Sequence, residues 1–139
     1  MSLDDNWSLE DNKAVVRRAL EAFNAQDLSA ADVYSEDVRR LLQHHLDIMP
    51  WSDYQIDIIE LIAEGERVAA VIATRGVQSG EYHGISPTGK AFSNRGVITF
   101  RVQEGRLTEM QTYIDSLTVV EQLGGTVRAP GESRTSPPS

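Results

Sequence analysis

One glycine turn in the second half of the chain constrains the fold more than any other sequence feature. Two segments rich in β-branched and aromatic residues, Ala91–Gln103 and Arg106–Ile114, flank a short turn at Gly105. Because a tight glycine-containing loop joins neighbouring antiparallel strands, this arrangement predicts a β-hairpin. Centring the hairpin on Gly105 pairs residues whose numbers sum to about 210, so the strand register is also predicted.

The predicted register gives the hairpin two different faces. Ile98 lies opposite Thr112, and Phe100 lies opposite Met110. The apolar face, which we expect to meet helices, carries Ile98, Phe100, Met110, Thr112 and Ile114. The amphipathic face, which we expect to meet solvent or a second subunit, carries Arg95, Val97, Thr99, Arg101, Glu109, Gln111 and Tyr113.

The rest of the chain divides into helices first and strands afterwards. Helical spacing predicts helices over residues 11–25, 30–34, 37–49 and 117–123. Two more β-rich segments, 55–63 and 67–79, precede the hairpin. The order predicts a single α+β domain over residues 1–125, with a curved, antiparallel-rich sheet wrapped around the N-terminal helices as a cone. Residues 126–139 are rich in Pro, Ser, Gly and Arg, so a disordered tail is predicted there.

Composition excludes several classes of function. The 139 residues carry a formal net charge of −8, which would repel nucleic acid. The sequence has no run of about 18 apolar residues, so no membrane-spanning helix is predicted. The chain has no cysteine, which excludes disulfides, zinc thiolates and a cysteine nucleophile. With no secretion signal in the acidic N-terminus, we expect a cytoplasmic protein without nucleic-acid or membrane partners.

The sequence also predicts no metal and no cofactor. The GISPTGK segment at 84–90 has the glycine and lysine spacing of a phosphate-binding loop, but Ala91 replaces the Ser or Thr that would coordinate magnesium. A strand follows it, so no helix N-terminus is available for phosphate. His44 and His45 are adjacent on a helix and point apart, so they cannot converge on one ion.

Several segments resemble SnoaL-like polyketide cyclases, which belong to the nuclear-transport-factor-like superfamily. Residues 12–34 are similar to the opening helices of that family. Five later motifs follow in the family's order: GISPTGK at 84–90, Phe100-Arg101-Val102, Glu104-Gly105-Arg106, Asp115-Ser116-Leu117 and Glu121-Gln122-Leu123-Gly124. The resemblance implies a helix-lined cone with a buried pocket, commonly a homodimer packed through the sheet.

The resemblance also implies a catalytic pair that this chain lacks. Cyclases of the family are expected to carry a histidine on the strand ending in Phe-Arg and an aspartate on the partner strand, acting together in an aldol closure. The matching positions here are Ile98 and Thr112, and neither side chain is a general base near neutral pH. The family's usual tryptophan is replaced by Gln111, and the region 35–54 is shortened.

His45 is the first candidate to replace the missing pair. It lies near the middle of the apolar stripe of the third predicted helix, and that stripe consists of Val38, Leu41, Leu42, Ile48 and Met49. A histidine facing the interior of a cone could act as a base or donate a hydrogen bond to a carbonyl oxygen. The alternative is a core or rim histidine that is satisfied by a backbone carbonyl.

Asp115 is the second candidate. It matches an acidic position of the family, and a buried carboxylate with a raised pKa could abstract a proton. The alternative is an N-cap for the last helix, and that role lowers the pKa instead.

Five residues are predicted to line a ligand pocket: Trp51, Ile98, Met110, Thr112 and Ile114. The expected partner is a small apolar or aromatic carbonyl compound, converted by cofactor-free enolate chemistry of the aldol cyclase or isomerase type. The alternative is a non-catalytic ligand-binding or dimerisation module that has lost the His/Asp pair. A cavity of a few hundred Å³ shared by His45 and Thr112 would favour the enzyme.

Overall fold

A computed structural model describes residues 7–126. The helices are α1 (Leu9–Asn24), α2 (Glu36–Ile48) and α3 (Ser116–Gln122), and the strands are β1 (Trp51–Glu64), β2 (Arg67–Gln78), β3 (Ala91–Gln103) and β4 (Arg106–Ile114). The strands form one antiparallel sheet in the order β1-β2-β3-β4. The predicted α+β architecture, helices followed by a curved antiparallel sheet, is therefore confirmed. From residue 127 onward, the predicted tail lies outside the described residues.

The hairpin of β3 and β4 has the register that the sequence predicts. Ile98 is paired with Thr112, and Phe100 with Met110. Glu104 and Gly105, at the turn, have positive φ angles of 51° and 79°, as a two-residue turn that matches the strand twist requires. Correct pairing fixes which side chains reach the helix side of the sheet.

The two long helices begin where side-chain caps satisfy their first backbone N–H groups. The Ser8 hydroxyl accepts from the Asp11 N–H at 3.0 Å, and the Asp11 carboxylate accepts from the Ser8 N–H at 2.9 Å, which forms a capping box. Ser35 caps α2 in the same way through the N–H of Val38. Helix α2 ends at Ile48, two residues before Pro50, which cannot continue a helix.

The core lies between the inner face of the sheet and the helices. Burial alternates along β2 and β3, as expected for a sheet covered on one face. The inner face supplies the fully buried side chains Val68, Ala70, Ile72, Phe100 and Val102, and α1 supplies Val15, Val16, Ala19 and Leu20. None of the helices within residues 7–126 is both long enough and apolar enough to cross a membrane.

A single buried glutamine organises the loop between β2 and β3. The Gln78 side chain is 2% exposed. Its amide nitrogen donates to the carbonyl oxygens of Gly80 and Ile85, at 3.0 and 2.9 Å. Its amide oxygen accepts from the N–H and hydroxyl of Thr88, at 3.0 and 2.6 Å. The Gln78 side chain therefore links both limbs of the loop, in addition to the backbone hydrogen bonds between Tyr82 and Ile85.

Two element boundaries differ from the sequence prediction. The short helix predicted over 30–34 is wrong: a 3₁₀ turn occupies Leu28–Ala30, and Tyr34 pairs as an isolated bridge with Leu107. Strand β1 begins at Trp51, not at 55, because an irregularity at Asp53, with φ of 53°, interrupts the alternation without ending the strand.

Candidate functional site: a cavity between helix α2 and the open end of the hairpin

The helices cover the inner face of the sheet at one end and leave it open at the other. Along β4, Leu107 is fully buried and Met110 is partly buried, whereas Thr112 and Ile114 are exposed. The uncovered end encloses a cavity of about 330 Å³, which is within the size range of small-molecule sites. Its lining residues are Leu20, Phe23, Leu42, His45, Tyr54, Ile56, Ile72, Ile98, Met110, Thr112 and Ile114.

Four of the five predicted pocket residues lie together in this cavity, and His45 joins them. They are Ile98, Met110, Thr112 and Ile114. Trp51 lies outside it and lines an adjoining hollow of about 230 Å³, which His45 also lines. His45 and Thr112 therefore line the same cavity.

His45 lies at the mouth of the cavity and not at the centre of a covered stripe. Helix α2 buries only Val38 and Leu42, while His45 is exposed, as are Leu41 and Ile48. Although the residue is exposed at the mouth, the protein atoms around the imidazole displace part of its water, which lowers the pKa of His45 below its ordinary value of 6.5, and the charge of His44 lowers it further. The imidazole is therefore neutral at pH 7 and can accept a proton.

Tyr54 is a cavity residue that the sequence analysis did not select. Its ring packs edge-on against Phe23 at a centroid distance of 6.3 Å, and it lines both the cavity and the adjoining hollow. Burial raises the pKa of Tyr54, and a hydrogen bond with Thr74 offsets only part of that effect. The phenol therefore remains protonated at neutral pH and can donate a hydrogen bond.

Two buried polar residues continue the inner face beyond the apolar wall. Thr74 and Asn94 are direct cross-strand partners and are 5% and 8% exposed. The Asn94 side-chain oxygen accepts from the N–H of Arg95 at 2.9 Å. The Thr74 side chain forms a hydrogen bond with the Tyr54 hydroxyl, and this bond holds the phenol in place.

Asp115 lies outside the cavity that contains His45. It caps α3, where its carboxylate accepts from the N–H of Thr118 at 3.1 Å and from the Thr118 hydroxyl at 2.5 Å. These bonds hold the pKa of Asp115 below its usual range. Asp115 lines a separate hollow of about 570 Å³ together with Arg75 and Arg95. The two predicted catalytic residues, His45 and Asp115, are therefore not brought together.

The described residues offer no preformed metal site. Within residues 7–126, no three carboxylate or imidazole side chains lie close enough together to hold one ion. The chemistry available in the cavity is therefore that of one imidazole, one phenol and one alcohol in apolar surroundings.

Helices packed on one face of a curved four-stranded antiparallel sheet, with a cavity between the layers, define the nuclear-transport-factor-like class of α+β folds. Residues 35–123 match the family model for SnoaL-like polyketide cyclase, so the chain belongs to that family. No curated protein matches the chain significantly.

Solved structures of similar proteins extend the match over the described domain. AclR from Streptomyces galilaeus is 28% identical with a TM-score of 0.68, and the match covers 84% of this chain and 98% of AclR. IdmH from Streptomyces antibioticus is 23% identical with a TM-score of 0.69, covering 81% and 98% of the two chains. TsrD from Streptomyces laurentii is 20% identical with a TM-score of 0.70, covering 86% and 98%. The last two similarities, at 20% and 23% identity, show the fold alone.

Proposed function

We propose that this protein binds a small apolar or aromatic carbonyl compound in the cavity and that His45 acts on it as a general base. The observation that supports the proposal is that His45 and Thr112 line one apolar cavity of about 330 Å³. An apolar wall with a few polar groups is the usual composition of a small-molecule site.

The proposed reaction is a cofactor-free enolate step. The neutral imidazole of His45 takes the proton from a carbon next to a carbonyl group, and the C–H electron pair moves to the carbonyl oxygen as an enolate. The hydroxyls of Thr112 and Tyr54 are the available donors to that oxygen. In a cyclisation, the enolate carbon then forms a bond to a second carbonyl carbon of the same molecule, and His45 returns the proton to the resulting alkoxide.

The relatives leave the reaction type open. IdmH is a candidate polyketide cyclase, whereas AclR is a candidate hydroxylase. One fold thus carries different chemistries, and the residues of the site must decide. Here Ile98 and Thr112 stand where a cyclase of the family is expected to hold its histidine and aspartate, so His45 on a helix would take over the role of base.

Proton transfer is tested with acetophenone in D₂O. We expect the protein to accelerate deuterium incorporation into the methyl group, measured by NMR, and we expect His45→Ala to abolish the acceleration while His44→Ala keeps it. Because the pKa of His45 is lowered, the rate should fall only at a pH below the range in which an ordinary histidine titrates, as the imidazole becomes protonated. An acceleration that survives in His45→Ala would refute the assignment of the base.

A second candidate function is a non-catalytic module that binds a ligand or dimerises. The absence of the family's expected catalytic pair favours it, because Ile98 and Thr112 occupy those two positions. For the dimerisation alternative, the outer face of the sheet offers Ile62 and Tyr113, which are 54% and 55% exposed. Such a face suits a homodimer packed through the sheet. Because the chain has no cysteine, we expect the protein to function in the reducing cytoplasm. Binding of acetophenone without any deuterium exchange would support this second candidate, and an Ile62→Asp variant that turns a dimer into a monomer in sedimentation would identify the outer face as the dimer interface.

A further inference from the structure

A second hollow adjoins the cavity and shares part of its lining. The hollow of about 230 Å³ is lined by Phe23, His45, Tyr54, Ile48, Met49, Pro50 and Trp51. The first three of these side chains also line the cavity of about 330 Å³. Because one set of side chains borders both spaces, Phe23, His45 and Tyr54 form a waist between an inner and an outer compartment.

The outer compartment is built at the corner between α2 and β1, and its wall is fixed by packing. The Trp51 ring lies between Phe92 and Tyr82, with centroid distances of 4.2 and 4.8 Å. The corner itself is tied to the following loop, since the carbonyl oxygen of Pro50 accepts from the N–H of Ser79 at 2.9 Å. Trp51 is therefore a preformed aromatic surface, which lowers the entropic cost of binding a ring.

The lining of the outer compartment selects an apolar occupant. Apart from His45 at the waist, its side chains are aliphatic, aromatic or thioether, and none is charged. Ile48, on its rim, is 61% exposed. Covering such a surface with an apolar group is favourable, whereas a charged group there would lose hydration without gaining a partner.

We infer that the ligand has two parts: a carbonyl-bearing part in the inner compartment and an aromatic ring in the outer compartment, against Trp51. The inference rests on the proposed function and narrows its substrate class to elongated molecules that pass His45 at the waist. The inner compartment alone would accept a single-ring ketone, while the outer compartment adds a contact that only a longer molecule reaches.

The inference is tested with two probes that share one head group, acetophenone and acetylbiphenyl. The chain contains two tryptophans, so a ¹⁵N-labelled sample gives two indole N–H signals, assigned with Trp7→Phe. We expect acetylbiphenyl to shift the Trp51 signal and acetophenone to leave it unchanged, with the Trp7 signal as internal reference. We also expect acetylbiphenyl to bind about tenfold more tightly, the affinity equivalent of one aromatic pair.

Two variants distinguish a loss of ligand contact in the outer compartment from a general loss of folding. Trp51→Ala should remove the roughly tenfold gain for acetylbiphenyl and leave acetophenone binding unchanged. Since Trp51 also packs on Phe92, Ile48→Ser provides a change at an exposed rim position, and it should weaken acetylbiphenyl selectively. Leu41→Ser, an exposed residue of the same helix that borders neither compartment, is the matched control.

The outcomes distinguish this inference from the proposed function. If both probes bind equally and neither shifts the Trp51 signal, the two-part ligand is refuted while the inner site stands. If neither probe binds, the proposed function fails and the inference falls with it. If acetylbiphenyl gains affinity but Ile48→Ser and Trp51→Ala leave that gain intact, the second ring lies elsewhere and the inference is overturned.

Discussion

The turn end and the open end of the β3–β4 hairpin carry the same alternating pattern but have different surroundings. At the turn end, Phe100 and Leu107 are 1% and 0% exposed under the helices. At the open end, Ile114 is 49% exposed although it belongs to the same inner face. The pattern along a strand therefore decides which face a side chain joins, and the position of the helices decides whether that face becomes core or cavity.

The largest expected effect tests the core end. Phe100→Ala should lower the free energy of unfolding by about 3–5 kcal/mol, because it removes a buried ring and leaves a void that close-packed neighbours cannot fill. Urea denaturation followed by circular dichroism measures the change. A loss below about 1.5 kcal/mol would mean that the turn end is packed no better than the open end, and the contrast would disappear.

A smaller effect is expected where the open end meets α3. Asp115→Ala should lower the melting temperature at pH 7, because the first turn of α3 loses its cap, whereas Asp115→Asn should keep most of it. Since the native pKa of Asp115 is lowered, its charge stabilises the fold above the unfolded pKa, near 4, and that contribution disappears as the pH falls through the native pKa.

The difference in melting temperature between wild type and Asp115→Ala should therefore become smaller in acid, as the charge of the carboxylate is lost. Thermal unfolding at pH 7 and at pH 3 provides the comparison. A difference in melting temperature that is the same at both pH values would show that the charge of the Asp115 carboxylate does not contribute to capping α3.

The smallest effect on stability is expected at the cavity rim. Ile114→Ser should change the free energy of unfolding by less than about 1 kcal/mol, since the side chain is half exposed. It should nevertheless weaken acetophenone binding about fivefold, through lost apolar contact. Titration calorimetry together with denaturation separates the two effects, and a stability loss as large as that of Phe100→Ala would place Ile114 in the core after all.

The sequence predicts the hairpin well because its constraints are local. The turn at Gly105 fixes which strands pair, and the apolar alternation beyond an irregularity between Arg101 and Val102 places Phe100 opposite Met110, as the structure shows. The caps at Ser8 and Asp115 are equally local, since each hydroxyl or carboxylate bonds an N–H three residues ahead.

The cavity depends on how the helices are placed on the sheet, and the sequence pattern of each element does not predict that placement. Helical periodicity identifies the apolar face of α2, but it does not say how far the sheet covers it, so His45 lies at a mouth and not in a stripe. Tyr54 follows the irregularity at Asp53. Because a one-residue shift of that kind interrupts the alternation, the sequence pattern does not predict which face of the sheet the Tyr54 side chain joins.

The buried Gln78 has a consequence for how this protein can vary. Gln78 fastens both limbs of the loop, but the outer tip remains coupled to the Trp51 wall, because the His83 ring contacts Tyr82 at a centroid distance of 4.4 Å and Tyr82 packs on Trp51. A Cβ added at Gly84 would meet no atom within 4 Å, although its φ of 80° disfavours other residues. Substitutions at this tip can therefore reshape the aromatic wall through Tyr82, while Gln78 keeps the two limbs of the loop in place.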